Sequence, residues 1–199
     1  MRPARTLLAT LPATAAALLG ACPAGTCPDP LEPAAAAPFC ATDLNPRSPT
    51  AGTELCVPRD LPDGTALYFA SVFCIHCTVN ITALRHRMLE LEAEGLHPHL
   101  VWVQLGAAAA TPDGVADHFD ATWDFPVLQD SPDACLWRTF HADWYELVIL
   151  DRRDGPGVPR RFGPLAPATT AGEEGDRIVE AWREALTMDG AAGPVAAAP

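Results

Sequence analysis

An apolar run of eight residues, 66–73 (ALYFASVF), leads without a break into Cys74-Ile75-His76-Cys77, which in turn opens a stretch of helical periodicity. This junction constrains the fold more than any other feature. The run has the length of a strand and no polar alternation, as a strand buried on both faces requires. From residue 78 to 94, Ile81, Leu84, Met88 and Leu91 recur three and four apart, with Arg85, Arg87, Glu90, Glu92 and Glu94 between them and Gly95 behind. That pattern predicts an amphipathic helix ended by a glycine.

The remaining periodicities predict a strand at 100–105, a short helix at 113–119, a brief strand at 127–128, a helical piece at 135–140 and a strand at 146–150. Beyond these come a turn at Asp154-Gly155, an edge strand at 160–162 and a last helix at 172–186 with Ile178, Val179, Trp182 and Leu186 on one face. The order is β-α-β-α-β followed by two strands and a helix. It predicts an α/β sandwich in which a parallel sheet joins an antiparallel hairpin. At about 100–200 residues per domain, a chain of 199 residues with 49% hydrophobic content makes one domain with extensions.

The extensions read from composition. Arg2 and Arg5 precede an apolar stretch from residue 7 to 19 and the small residues Gly20 and Ala21, the layout of a secretory signal too short to span a bilayer. Leu19-Gly20-Ala21-Cys22 resembles the bacterial lipoprotein box, which implies cleavage before Cys22 and a lipid on its sulfur. Residues 1–21 are therefore expected to be a signal peptide and 22–62, rich in proline, a tether with a loop-rich lead-in. The domain itself is placed at 63–188, and the tail, 189–199, is expected to be disordered.

Composition removes several functions. The 13 basic residues are all arginine, so a lysine Schiff base or a Walker phosphate loop is excluded. With a net charge of −12 and arginine doublets only at 152–153 and 160–161, no nucleic-acid partner is expected.

The chemistry sits at the C-x-x-C. A helix N-terminus offers free N–H groups and positive potential to Cys74, which lowers its pKa below the ~8.5 of a free thiol and makes it the attacking group. Cys77, a turn further in, is expected to resolve a mixed disulfide. Ile75 and His76 are placed as modulating residues, with His76 adding positive charge near the Cys74 thiolate. Zinc would need a second ligand pair, and His97 and His99 lie beyond the whole helix. A c-type haem would need histidine directly after Cys77, where Thr78 stands. No cofactor and no resident metal are expected, although a copper or zinc site using Cys74, Cys77 and a histidine such as His76, or a permanent structural disulfide, are competing readings.

With these residues in place, the chain resembles the thioredoxin-like superfamily. Residues 66–186 are most similar to the N-terminal domain of selenoprotein P. The resemblance rests on Cys74 to Cys77, the Leu- and Arg-rich helix ending at Gly95, the strand at 100–105, Pro126-Val127, Trp137 and the segment from Tyr145 to Arg152. It implies a thioredoxin-like three-layer α/β/α sandwich with a mixed central sheet, and it puts Cys74 at the selenocysteine position. Two departures follow from the comparison. The cis-proline most members carry is replaced at Tyr145 or a neighbour, so Trp144 and Tyr145 become a possible substrate platform. The buried acid of thioredoxin is replaced by Tyr68, leaving water or His76 to take the proton of Cys77.

Of the other cysteines, Cys40 and Cys56 are the favoured structural disulfide because they close a proline-rich loop, while Cys27 and Cys135 stay unassigned among three possible pairings. Trp102, Trp137 and Trp182 are expected in the core and Trp123 near the active-site mouth. Asn80-Ile81-Thr82 matches a glycosylation acceptor but lies within a helix, so it is discounted. The reading reached is an exported bacterial lipoprotein, anchored through its N-terminal lipid and facing the periplasm or cell exterior. It would act as a thiol–disulfide oxidoreductase or thiol peroxidase on protein or small-molecule disulfides, thiols or peroxides.

Overall fold

A computed structural model describes residues 39–72, 74–105, 111–119, 121–130, 140, 142, 145–151, 160–163, 165 and 172–187. Strands β1 (Phe39–Thr42) and β2 (Glu54–Val57) pair with each other. The central elements are β3 (Thr65–Ala70), α1 (Ile75–Ala93), β4 (His99–Gln104), α2 (Pro112–His118) and β5 (Val127–Gln129). After them come β6 (Glu146–Ile149), β7 (Arg160–Phe162) and α3 (Glu173–Thr187).

The main sheet has the order β5-β4-β3-β6-β7, with β5, β4 and β3 parallel and β6 and β7 antiparallel additions. The fold is therefore the expected α/β/α sandwich around a mixed sheet. Every residue of β3 is buried, because its side chains alternate between two apolar layers. Ala66, Tyr68 and Ala70 face Ile81, Leu84 and Leu91 of α1 and Ile178 and Trp182 of α3. Leu67 and Phe69 face Val57, Leu61, Val101, Val103 and Val148 on the other side. Two ion pairs tie the helices across that first layer, Arg87 to Asp176 at 2.7 Å and Arg183 to Glu94 at 2.8 Å. Both lie near the surface, where such pairs contribute little, so packing holds the helices together.

Residues 39–62 contain more regular structure than their composition suggests. No strand is expected there, yet β1 and β2 form, in a register that sets Cys40 opposite Cys56, and the two are joined as a disulfide. The segment is also fastened to the sheet. Asp43 accepts from the Val127 N–H at 2.9 Å, and the fully buried Asn45 donates to the carbonyls of Trp123 and Phe125 at 3.0 and 2.7 Å. Arg47 donates to the carbonyls of Phe119 and Ala116 in the same region. Turn-forming prolines between them do not prevent this, because the donors and acceptors of the segment are met by short turn hydrogen bonds and by side chains rather than by a long ladder.

Trp102 and Trp182 lie wholly in the core, as expected. Trp123 does not line a mouth. It is 5% exposed and stacks with Phe119 and Phe125, at ring separations of 5.1 and 6.1 Å. An aromatic group that size loses more by staying wet than any surface role returns, and two neighbouring phenylalanines offer it a dry site. Residues 1–21, Cys22, Cys27, Cys135, Trp137, Trp144, the turn at Asp154 and the tail lie outside the described residues. Among the described residues no helix is long and apolar enough to cross a membrane.

Candidate active site

The polypeptide leaves β3 at Ala70 and reaches α1 through a loop whose shape is set by a residue on the neighbouring strand. Gln104, fully buried at the end of β4, accepts from the Val72 N–H at 2.9 Å and from the Trp102 indole at 3.1 Å, and donates to the Leu105 carbonyl at 3.0 Å. Its carboxamide lies 3.4 Å from the Ser71 hydroxyl as well. The Cys74 N–H then donates to the Ser71 carbonyl at 2.9 Å, which turns the chain into the helix. A glutamine closing an otherwise apolar strand was the one signal for this role in the sequence, and sequence reasoning missed it.

Cys74 is the N-cap of α1, with extended backbone, and its sulfur takes the place a serine or aspartate oxygen usually fills. It accepts from the Cys77 N–H at 3.3 Å. Burial of the half-exposed Cys74 sulfur pushes its pKa up, but hydrogen bonds from the Cys77 side chain, the Cys77 and His76 N–H groups and the Tyr145 hydroxyl outweigh it, and the net shift is downward. Cys77, fully buried one turn on, moves the other way. Burial first, then the neighbouring Cys74, push its thiol up to about 12, against smaller lowering contributions from the Ser71 backbone and the Tyr68 hydroxyl. The pair is thus split into a thiol that ionises readily and one that keeps its proton. Both cysteines are free thiols in this structure.

His76 contributes through its backbone. Its N–H reaches the Cys74 sulfur while the residue itself lies exposed, as does Ile75, 75% of whose surface is open beside Cys74. Val79, a turn further on, is 45% exposed, so an apolar strip flanks Cys74.

Tyr145 arrives from a distant part of the chain. Pairing of Phe69 with Glu146 brings the start of β6 beside the end of β3, and the Tyr145 N–H donates to the Phe69 carbonyl at 2.9 Å. Its φ is +67°, a left-handed backbone that costs a non-glycine residue about 1–2 kcal/mol. The conformation is held from the other side by the Leu165 N–H, which donates to the Tyr145 carbonyl at 2.9 Å. Close approach there requires Gly163, whose φ is +137° and whose added Cβ would lie 3.1 Å from Glu146 Cα. The described X-Pro cis bond is elsewhere, between Val57 and Pro58. Tyr145 is thus held beside the end of β3, with its hydroxyl directed to Cys74.

A groove of about 410 Å³ lies at the opposite end of the sheet, between the starts of β3 and β4 and the second half of α1. It does not reach the cysteines. Among the described residues, the cluster of ligand atoms close enough to share an ion is Cys40, Glu54 and Cys56, and the two cysteines there are bonded to each other.

No family model matches the chain, and no curated protein matches it. Solved structures do. A secreted disulfide oxidoreductase of Mycobacterium tuberculosis, homologous to E. coli DsbE, is 20% identical with a TM-score of 0.51, over 72% of this chain and 95% of its own. Copper-bound ScoI of Arabidopsis thaliana is 13% identical with a TM-score of 0.56, over 76% of this chain and 98% of its own. A Sco/SenC family lipoprotein of Bacillus anthracis is 12% identical with a TM-score of 0.53, over 76% and 94%. The chain has the thioredoxin-like fold. Within that fold the structures it is similar to include both thiol–disulfide exchange proteins and Sco proteins.

Proposed function

We propose that this protein is an exported, lipid-anchored thiol–disulfide oxidoreductase in which Cys74 is the nucleophile and Cys77 the resolving thiol. The observation that carries the reading is the placement of the two thiols at a helix N-terminus, Cys74 as the cap that accepts the Cys77 N–H at 3.3 Å and Cys77 fully buried one turn in, which lowers the first pKa and raises the second. A thiolate is the attacking species, and a buried partner that holds its proton stays out of side reactions until a mixed disulfide forms next to it.

In the reducing direction the Cys74 thiolate attacks one sulfur of a substrate disulfide and the other substrate sulfur leaves as a thiolate. Cys77 then attacks Cys74, the remaining substrate sulfur leaves, and the pair ends as a disulfide while the substrate has gained two electrons. The oxidising direction is the reverse. With a peroxide, Cys74 would instead pass through a sulfenic acid that Cys77 condenses with, releasing water. The exposed Ile75 and Val79 suit an apolar stretch of a polypeptide substrate.

Export and anchoring rest on residues 1–22 and are supported by the similar folds, one described as secreted and another as a lipoprotein. The sequence likeness to the N-terminal domain of selenoprotein P belongs to the same reading, with Cys74 doing the work of a selenocysteine at a higher pKa. The decisive experiment is a Cys77→Ser variant presented with disulfide substrates. It should accumulate a mixed disulfide through Cys74, and absence of any adduct together with a Cys74 of ordinary thiol pKa overturns the proposal. Mass spectrometry of the mature protein tests lipid on Cys22.

A second reading, copper or zinc held by Cys74 and Cys77, is favoured by the likeness to Sco structures. The described donors fit it poorly. Two sulfurs are present, but no third His, Cys, Asp or Glu atom among the described residues joins them within 4.8 Å. Metal stoichiometry of the reduced protein, with and without Cys74→Ser, separates the two readings.

A further inference from the structure

Tyr68 is wholly buried on β3, its ring fixed edge-on to Trp102 at a centroid separation of 5.5 Å. Its hydroxyl lies against the Cys77 thiol and the Asn80 carboxamide, yet it completes no hydrogen bond among the described residues, and neither does Asn80 Oδ1. The Asn80 amide nitrogen is already committed to the Leu165 carbonyl at 3.1 Å. A buried hydroxyl left unsatisfied is costly, and phenylalanine would fill the same space without that cost. Among the described residues the resting protein offers this hydroxyl two acceptors, the neutral Cys77 sulfur and Asn80 Oδ1, and holds it to neither in a completed hydrogen bond, so it is free to turn to whichever becomes the stronger.

Cys77 becomes the stronger during turnover. As a neutral thiol it is a weak acceptor, but in the attack on Cys74 its sulfur becomes negative in a dry site. We infer that Tyr68 is the positioning residue of the resolving step, donating its hydroxyl proton in a hydrogen bond to the Cys77 sulfur as that sulfur takes on charge. This rests on the proposed roles of Cys74 and Cys77. Tyr68 does not act as the base, since burial raises its own pKa and keeps it protonated. The titratable groups that act on Cys77 are Cys74 on the same turn and Tyr68 from β3, with Tyr145 beside Cys74.

The step balances without a further reagent. The bond between Cys74 and the substrate sulfur breaks, the bond between Cys74 and Cys77 forms, and the proton that Cys77 loses ends on the departing substrate thiol. What Tyr68 changes is the fraction of time Cys77 is able to attack.

The test is a Tyr68→Phe variant of the full chain, reduced and mixed with an aromatic disulfide whose released thiolate is coloured. Each molecule releases two equivalents, the first by Cys74 attack and the second by Cys77 resolution. The first phase should be unchanged. The second should slow about ten- to a hundredfold, the effect of losing one hydrogen bond to a charged group, and its pH profile should move to higher pH. Thermal unfolding of the reduced variant should occur at the same temperature or higher, which a purely structural role would not give. An unchanged second phase, or both phases slowed together with a loss of stability, overturns the role of Tyr68 alone. A wild-type first phase no faster than that of a free thiol overturns this inference together with the reading of Cys74 on which it rests.

Discussion

The backbone N–H of Cys77 points at the sulfur of Cys74 from 3.3 Å, so one cysteine of the pair caps the helix that carries the other. The first turn of α1 thereby holds a sulfur where helices elsewhere hold the oxygen of a serine or aspartate.

This geometry fixes the pH dependence. Alkylation proceeds through the thiolate, and a depressed pKa keeps Cys74 ionised at lower pH than a free thiol, so the midpoint of its rate profile should fall below that of an unperturbed thiol measured alongside. Iodoacetamide at neutral pH should label one cysteine of the pair in the reduced protein. Labelling of Cys77 at a comparable rate would contradict the split.

The Cys77 shift has a stability counterpart of opposite sign to that of a paired carboxylate. Its folded pKa is raised, so the contribution is complete below 9.0, the ordinary thiol value, and is lost as pH climbs toward about 12 while the unfolded chain ionises. Chemical denaturation of the reduced protein should show a steeper alkaline loss than that of a Cys77→Ala variant.

Removing the Tyr145 hydroxyl should weaken the nucleophile without unfolding the protein. In Tyr145→Phe the Cys74 pKa should rise, and its alkylation rate at neutral pH should fall by about three- to tenfold, less than for a fully buried site because Cys74 is partly open to water. An unchanged rate would show that the helix N–H groups suffice.

Gln104→Leu keeps the volume and deletes the brace. Two buried donors, the Val72 N–H and the Trp102 indole, would lose their acceptor at about 1–3 kcal/mol each, giving a destabilisation of about 2–6 kcal/mol by denaturant titration. A loss under about 1 kcal/mol would mean that the loop finds other partners.

The disulfide should act on stability alone. Cys40 and Cys56 are 16 residues apart, and replacing both by serine should cost about 3 kcal/mol of unfolding free energy. Alkylation of Cys74 in that variant should be as fast as in the parent.

Much of the fold was readable because each core element advertised its burial in its own period. The run at 66–73 had no polar face, and the heptad-like spacing of Ile81, Leu84, Met88 and Leu91 placed α1 to within a turn. β1 and β2 were not readable. Four residues each, among prolines, they have no period long enough to detect, and they exist because Asp43 and Asn45 find partners near β5 about eighty residues away. Trp123 was misplaced for a related reason, since a flanking position in sequence says nothing about which aromatic rings will surround it.

Local patterns in the chain suffice to put a thiol pair where a buried strand meets a helix, because strand burial, helix period and the C-x-x-C spacing each involve only neighbouring residues. Tertiary structure decided what surrounds each sulfur. Tyr145 reaches Cys74 only through the pairing of β6 with β3, Gln104 shapes the loop only because β4 lies beside it, and Tyr68 meets Cys77 only when α1 packs on the sheet. A period tells which face a side chain takes, whereas the pKa of a thiol depends on groups brought within a few ångströms from segments tens of residues apart.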